Sequence, residues 1–200
     1  MTELDLPQGL RRAKPEEWKL VGDITAEAFA QDPVASWTFG NVGGMRVAFQ
    51  ALARYVYIPR GICHLANNGA TMWLLPGESK ALPLWAEVGL GLRVIQESGL
   101  KAVSRSLTAD ARMKLHRPTE PHFYWFTIGV LEAARGQGLG SKLMDPMLAL
   151  ADREDLPVYL ENTNPVNTSI YESQGFVRQE IFYPGDGGPP LEAMIREPTS

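Results

Sequence analysis

Cysteine, histidine and long apolar runs are scarce in this chain. Its 200 residues hold one cysteine, Cys63, and three histidines. A lone cysteine cannot close an internal disulfide, and Cys63, His64 and His116 do not have the spacing of metal ligands, so we predict no metal site. No apolar stretch approaches the roughly 20 residues that cross a bilayer, and we expect no membrane partner.

The first ten residues also lack the features of a secretion signal. They include Glu3 and Asp5, and they have neither a basic start nor an apolar core. The formal net charge is −4 at pH 7, which argues against a nonspecific nucleic-acid partner. We therefore expect a cytoplasmic protein that acts on a small molecule, as a monomer or a homodimer.

Linkers, internal repeats and low-complexity tracts are absent from the sequence as well. With 44% apolar residues, the chain has enough material for a core without disulfides or a structural metal. We predict a single domain over residues 1–200.

Apolar periodicity and turn residues predict a mixed α/β architecture. We expect helices from residue 15 to a stop at Asp32-Pro33, over 45–57, within an all-helical insertion at 76–121, and over 139–153 and 165–174. We expect strands at 10–13, 62–66, 71–75, 123–130, 158–161, 176–182 and 191–196.

A glycine-rich turn follows the predicted strand 123–130 and opens the helix that begins near Leu139. Its sequence from Arg135 to Ser141 is RGQGLGS. Glycines leave the first amides of a helix uncovered, so that a pyrophosphate can bind the backbone with the helix dipole behind it. The turn therefore predicts a cofactor that carries a diphosphate.

Two common nucleotide-binding motifs fit this turn poorly. A Walker-type loop ends in Gly-Lys-Ser/Thr, whereas Lys142 here follows Ser141. The dinucleotide motif G-x-G-x-x-G requires a third glycine where this chain has Ser141. Glu161, at the end of the next strand, does occupy the position of the acidic residue that binds the ribose in that motif. A dinucleotide-binding oxidoreductase stays an alternative, weakened because the rest of the chain has no room for several further βα units.

Two ordered motifs resemble those of the GNAT superfamily of N-acetyltransferases. The signature V-x-P-x-x-[R/Q]-x-x-G-x-[G/A] is matched from Val130 to Gly140, with Glu132 in place of the proline. The signature N-x-x-[A/N]-x-x-x-Y-x-x-x-G-F is matched at every fixed position from Asn164 to Phe176. The resemblance implies the GNAT α/β (α+β) acyltransferase fold, with a mixed central sheet, helices on both faces and a helical insertion before the cofactor-binding strand.

The resemblance also implies acetyl-CoA as cosubstrate and an acetyl group transferred to a primary amine of a small molecule by direct attack in a ternary complex. The cofactor-binding half would span about 122–182 and the acceptor-binding region about 15–121, in a layout that resembles puromycin N-acetyltransferase-like members. A noncatalytic acyl-CoA-binding or regulatory module is the alternative. The implied cofactor-binding residues are Ile128, Val130, Arg135, Gly136, Gln137, Gly138, Leu139, Gly140, Ser141, Asn164 and Asn167.

Tyr171 and Glu161 are the predicted catalytic residues. Spacings of three and four place Asn164, Asn167 and Tyr171 on one helix face. A phenol is protonated at neutral pH, so Tyr171 can protonate the departing thiolate of coenzyme A. Glu161 ends the strand beside the cofactor strand, where it can take a proton from the acceptor ammonium, and a backbone amide near Ile128 is expected to stabilise the oxyanion.

Five further side chains are candidates for the acceptor pocket. Asp32, Trp37 and Phe39 follow the first helix, in a region that contacts acceptors in GNAT folds, and Asp32 can pair with a cationic amine. His122 and Tyr124 lie at the start of the cofactor strand.

Overall fold

A seven-stranded mixed sheet forms the centre of the computed structural model, which describes residues 4–199. The strands are β1 (Arg11–Arg12), β2 (Gly61–Ala66), β3 (Gly69–Leu74), β4 (Phe123–Val130), β5 (Val158–Asn162), β6 (Val177–Phe182) and β7 (Leu191–Arg196). Their order across the sheet is β1-β2-β3-β4-β5-β7-β6. The hairpin and the later strands agree closely with the expected positions.

Helices occupy the connections that the sequence predicts. They are α1 (Trp18–Ala28), α2 (Pro33–Phe39), α3 (Val42–Leu52), α4 (Ile58–Arg60), α5 (Leu84–Ser98), α6 (Leu100–His116), α7 (Leu139–Arg153) and α8 (Thr168–Ser173). A π-helical segment, Ala53–Tyr57, joins α3 to α4, so that this stretch is one helical rod. Three short 3₁₀ turns lie at Pro15–Glu17, Glu132–Ala134 and Pro165–Asn167.

The helix α2 is a feature that apolar periodicity did not reveal, because it is short and begins where a stop was expected. Asp32 is its N-cap, and the carboxylate accepts a hydrogen bond from the Ala35 amide at 2.8 Å. Pro33 occupies the first turn, where proline is tolerated. Gly40 ends the helix with φ +74°. The Asp-Pro pair therefore begins a new helix, after α1 has ended at Ala28.

Pairing between β4 and β5 decides where the sheet opens. These strands are parallel and pair over Phe123–Trp125 and Val158–Leu160, after which β4 continues alone to Val130. Elsewhere in residues 4–199 the paired strands are antiparallel. A sheet with one parallel pair does not contain the successive βα units of a dinucleotide-binding fold.

Two apolar cores lie on opposite faces of the sheet. Tyr124 on β4 faces the core that contains α1 and α3, whereas its neighbours Phe123 and Trp125 face the core that contains α7. This alternation follows from the two-residue period of a strand. The helices therefore cover both faces of the sheet, as expected.

The insertion before β4 consists of α5 and α6, which pack against α3 and α2. Few of its side chains are buried: Ala86 and Val94 in α5, and Ala102 and Ala109 in α6. Among the described residues, no helix is long and apolar enough to cross a membrane. Residues 1–3, part of the segment considered for a secretion signal, lie outside the described range.

Candidate active site

A cleft opens where β4 and β5 separate. Its empty space, including the mouth that opens to solvent, is about 300 Å³, and it is bordered by both strands, by the end of α1 and by α8. Its lining side chains are Phe29, Trp125, Phe126, Thr127, Ile128, Leu160, Glu161, Thr163 and Tyr171. The fold thus brings Glu161 and Tyr171, the two predicted catalytic residues, to one cleft.

The backbone of β4 turns its free hydrogen-bonding groups toward this cleft. The amide of Leu131 donates to the Asn68 carbonyl at 2.9 Å, on the β3 side of the strand. Because backbone groups alternate in direction along a strand, Ile128 and Val130 direct theirs to the opposite side, where β5 no longer pairs. An extended ligand can therefore add to β4 as a further strand.

The glycine-rich turn has the backbone conformation that leaves helix amides exposed. Gly136 and Gly138 have φ of +73° and +74°, a region that favours glycine. Gly138 is the N-cap of α7. Its carbonyl accepts a hydrogen bond from the Lys142 amide at 3.2 Å, the first backbone hydrogen bond of the helix. Within the described residues, the amides of 136–141 have no backbone acceptor. This end of α7 therefore presents a row of open donors.

Arg135 and Gln137 use their side chains within the turn. The Arg135 guanidinium donates to the carbonyls of Val130 and Ala28, both at 3.2 Å, which ties the turn to β4 and to the end of α1. The Gln137 amide donates to the Ala133 carbonyl at 2.9 Å. Both side chains therefore stabilise the turn in this structure, and the open groups are the backbone amides.

Asn164 begins the short helical segment that carries Tyr171. Its carboxamide oxygen accepts from the Val166 amide at 3.2 Å, as an N-cap does. Asn167 lies at the end of this 3₁₀ turn and is half-buried. The helix ends before Gly175, which has φ +88°. Capping at both ends fixes the position of Tyr171.

Tyr171 is held in the cleft by aromatic packing. Its ring meets the rings of Trp125 and Phe176 edge to face, at centroid distances of 5.6 Å and 6.0 Å. Burial, with a smaller contribution from the negative charge of Asp32, raises the pKa of the phenol. Tyr171 is therefore protonated at neutral pH, the form that a proton donor requires.

Glu161 is a buried carboxylate with one oxygen paired and one open. Its Oε2 accepts a hydrogen bond from the Tyr124 hydroxyl at 2.7 Å, whereas Oε1 has no hydrogen-bond partner among the described residues. Burial raises the pKa of Glu161, and the positive charges of Arg117 and Lys80 oppose this shift. A carboxylate with a raised pKa and an open oxygen can accept a proton from a ligand in the cleft.

Polar side chains from distant segments surround Glu161. Three of them, Tyr57, Arg117 and Tyr159, are not assigned to the site by the sequence alone. Arg117 lies beyond the end of α6, with Nη2 3.6 Å from Glu161 Oε1, and its guanidinium covers the Tyr124 ring at 3.9 Å. Tyr57 comes from the π-helical segment and Tyr159 from β5. Apart from aromatic character, the sequence holds no signal that these residues meet.

The other acceptor candidates are engaged in structural contacts. Asp32 caps α2 and also accepts a hydrogen bond from the Thr163 hydroxyl. His122 bonds the Glu120 carbonyl through Nδ1 at 2.7 Å and meets the Tyr159 ring edge on at 5.8 Å. The Trp37 ring is covered by the guanidinium of Arg105 at 4.7 Å. Of the predicted acceptor residues, Tyr124 is the one hydrogen-bonded to Glu161.

Comparison with known proteins finds a matching family for the part of the chain that forms the cleft. Residues 106–176 match the model of the acetyltransferase (GNAT) family, a range that includes β4, the glycine-rich turn, β5 and α8. An uncharacterized N-acetyltransferase from Schizosaccharomyces pombe is 27% identical over an alignment of 216 positions, gaps included, that covers 95% of this chain and 83% of the relative.

Solved structures share the fold over nearly the whole chain. A protein from Corynebacterium glutamicum, described as histone acetyltransferase HPA2 and related acetyltransferase, has 25% identity and a TM-score of 0.70, with 96% of each chain covered. Arylalkylamine N-acetyltransferase 2 from Aedes aegypti shares the fold at 15% identity and a TM-score of 0.62, with 94% of this chain and 97% of that chain covered. With the matching domain and the Schizosaccharomyces pombe relative, these likenesses support a GNAT-type acetyltransferase as the assignment of this chain.

Proposed function

We propose that this chain transfers an acetyl group from acetyl-CoA to a primary amine of a small molecule, by direct attack in a ternary complex. The observation that carries the proposal is that Glu161 and Tyr171 line one cleft, where β4 and β5 separate. Amide formation from a thioester needs a base for the amine and an acid for the thiolate, and this cleft contains one of each.

The features of the turn and of β4 fit the parts of acetyl-CoA. The open amides of 136–141 lie at the start of a 15-residue helix, whose dipole favours a pyrophosphate there. The cleft-facing backbone groups of Ile128 and the amide of Val130 suit the amides of the pantetheine arm, whereas the Val130 carbonyl accepts from Arg135. We assign Asn164 and Asn167 to the same ligand as flanking contacts, and Arg135 and Gln137 as the residues that hold the turn in shape.

The chain's own groups then carry the proton transfers. Bound acetyl-CoA supplies an acetyl group that is activated as a thioester. Glu161 Oε1 accepts a proton from the ammonium of the acceptor, which leaves a neutral amine able to attack. The Ile128 amide donates a hydrogen bond to the carbonyl oxygen as negative charge develops on it. Tyr171 donates its phenolic proton to the sulfur as the carbon–sulfur bond breaks. The attacking nitrogen loses its second proton to solvent as the amide forms, and a solvent proton restores the phenol of Tyr171.

Thiol release from acetyl-CoA in the presence of a panel of primary amines tests this function. The panel includes aminonucleosides, because the sequence layout resembles puromycin N-acetyltransferase-like members. It also includes arylalkylamines, because one structural neighbour is named arylalkylamine N-acetyltransferase 2. We expect release with at least one amine and a mass increase of that amine by one acetyl group. Binding of acetyl-CoA without transfer to any amine would instead indicate a noncatalytic acyl-CoA-binding module.

A further inference from the structure

Buried polar atoms with few partners lie around Glu161. The Tyr57 hydroxyl and Nε of Arg117 have no hydrogen-bond partner among the described residues. Nη2 of Arg117 and Oε1 of Glu161 make no hydrogen bond there either, and lie 3.6 Å apart as an ion pair. Buried polar groups in native proteins are nearly always paired. Several such atoms around one carboxylate of the cleft indicate that a polar ligand completes the site.

Aromatic rings connect these atoms into one buried cluster beside the cleft. Tyr57 stacks on Phe126 at 4.7 Å, Phe126 lies 6.0 Å from Tyr124, and Tyr124 lies 6.1 Å from Tyr159. Phe126 and Glu161 also line the cleft that contains Tyr171. A ligand that reaches Glu161 from the cleft is therefore next to the whole cluster.

The open groups specify both ends of that ligand. Nε and Nη2 form the edge of a guanidinium that binds a carboxylate through two parallel hydrogen bonds, and Arg117 can only donate. Glu161 Oε1, when ionised, can only accept. Since Nη2 and Oε1 are 3.6 Å apart, the ligand must present an acceptor and a donor close together.

Charge balance in the pocket favours the same ligand. Lys80 is paired with Asp110 at 2.8 Å, and the positive Arg117 has the negative Glu161 beside it. A simple ammonium would add a positive charge to a buried group of side chains whose charges already cancel. A zwitterion adds none, so its burial costs less.

We infer that the acceptor is an α-amino acid, with its amine at Glu161 and its carboxylate on the Nε and Nη2 edge of Arg117. The amine nitrogen and the carboxylate oxygens of an α-amino acid are roughly 3 Å apart, comparable with the separation of the two protein groups. This inference rests on the proposed acetyl transfer and names its substrate class.

The experiment compares each amino acid with the amine that lacks only its carboxylate. Pairs such as phenylalanine with 2-phenylethylamine, methionine with 3-(methylthio)propylamine and lysine with cadaverine extend over the proteinogenic amino acids that carry a primary amine. We expect kcat/KM for the preferred amino acid to exceed that of its partner amine at least about tenfold, the usual contribution of a charge-assisted hydrogen bond.

Variants of Arg117 assign that preference to its guanidinium. In R117M the ratio within a pair should fall close to one, and in R117K it should fall partly, because an ammonium keeps the charge but lacks the two-donor edge. If a substitution of Arg117 also alters Glu161, it changes kcat/KM for the amino acid and for its partner amine alike, so that the ratio of the two values is unaffected. R93M, at an exposed position of α5, is the matched control and should keep the wild-type ratio.

Several results would overturn the inference and leave the acetyl transfer intact. These are equal or better acetylation of the decarboxylated amines, acetylation of peptide N-termini in preference to free amino acids, or transfer to other amines with no amino acid acetylated. The wild-type ratios decide the matter even when R117M does not fold. Failure to acetylate any amine would count against the proposed function itself.

Discussion

The glycine-rich turn and the Glu161 pocket present open hydrogen-bonding groups in opposite ways. The turn offers backbone amides at the exposed start of α7, and its side chains merely hold the shape. The Glu161 pocket offers buried side-chain atoms instead. Backbone donors recognise what any pyrophosphate has in common, whereas a set of side chains selects one acceptor. The first region is thus suited to a constant ligand and the second to a particular one.

The largest expected effect comes from Glu161→Gln, which keeps the shape of the side chain and removes the base. We expect kcat to fall by about 10² to 10⁴, the usual contribution of general base catalysis. Glu192→Gln is the matched control, because Glu192 is also buried in this sheet but is paired with Asn162, Thr168 and Arg178. A kcat for Glu161→Gln no lower than that of the control would remove Glu161 from the mechanism.

Tyr171→Phe should have the next largest effect. Loss of the phenolic proton donor should lower kcat by about 10²-fold and leave the affinity for acetyl-CoA nearly unchanged, since the ring contacts with Trp125 and Phe176 remain. Steady-state kinetics and calorimetric binding of acetyl-CoA measure the two quantities. A wild-type kcat in this variant would show that another group protonates the thiolate.

The pH dependence should reveal the burial of Glu161. The base acts when ionised, so kcat/KM should fall about tenfold per pH unit below the pKa of Glu161. Because burial raises that pKa, the fall should begin above the pH range of an ordinary glutamic acid. Melting temperatures over the same range exclude unfolding as the cause. A profile that stays flat down to the ordinary glutamate pKa would contradict a buried base.

Gly138→Ala should affect the turn alone, by the smallest amount. A side chain at φ +74° costs about 1 to 2 kcal/mol, so acetyl-CoA affinity should weaken roughly tenfold as the turn adjusts. Gly40→Ala is the matched control, since Gly40 also has φ +74° and open space for a Cβ. Both variants should lose similar stability, and only Gly138→Ala should bind acetyl-CoA more weakly. Equal affinities would show that the turn does not hold the cofactor.

Sequence patterns among neighbouring residues were enough to predict most of the helices and strands, together with the glycine-rich turn and the position of Tyr171. The strand, glycine-rich turn and helix follow from periodicity and from glycine, and the Asn164 to Phe176 motif gave the position of Tyr171. The helix α2 was missed because a short helix with Asp-Pro at its start looks like the end of the previous one. The structural roles of Arg135 and Asp32 also needed the fold, since their partners come from distant segments.

The sequence by itself determined the GNAT resemblance, the cleft-forming strand and the turn, because each depends on neighbours along the chain. Only the tertiary structure decided what surrounds Glu161. Tyr57, Arg117, Tyr124 and Tyr159 come from four separate segments. Tyr57, Tyr124 and Tyr159 meet in one apolar core, and Arg117 covers the Tyr124 ring. A contact between distant residues leaves no periodic trace in a single sequence, so the chemistry of the acceptor pocket was visible only after folding.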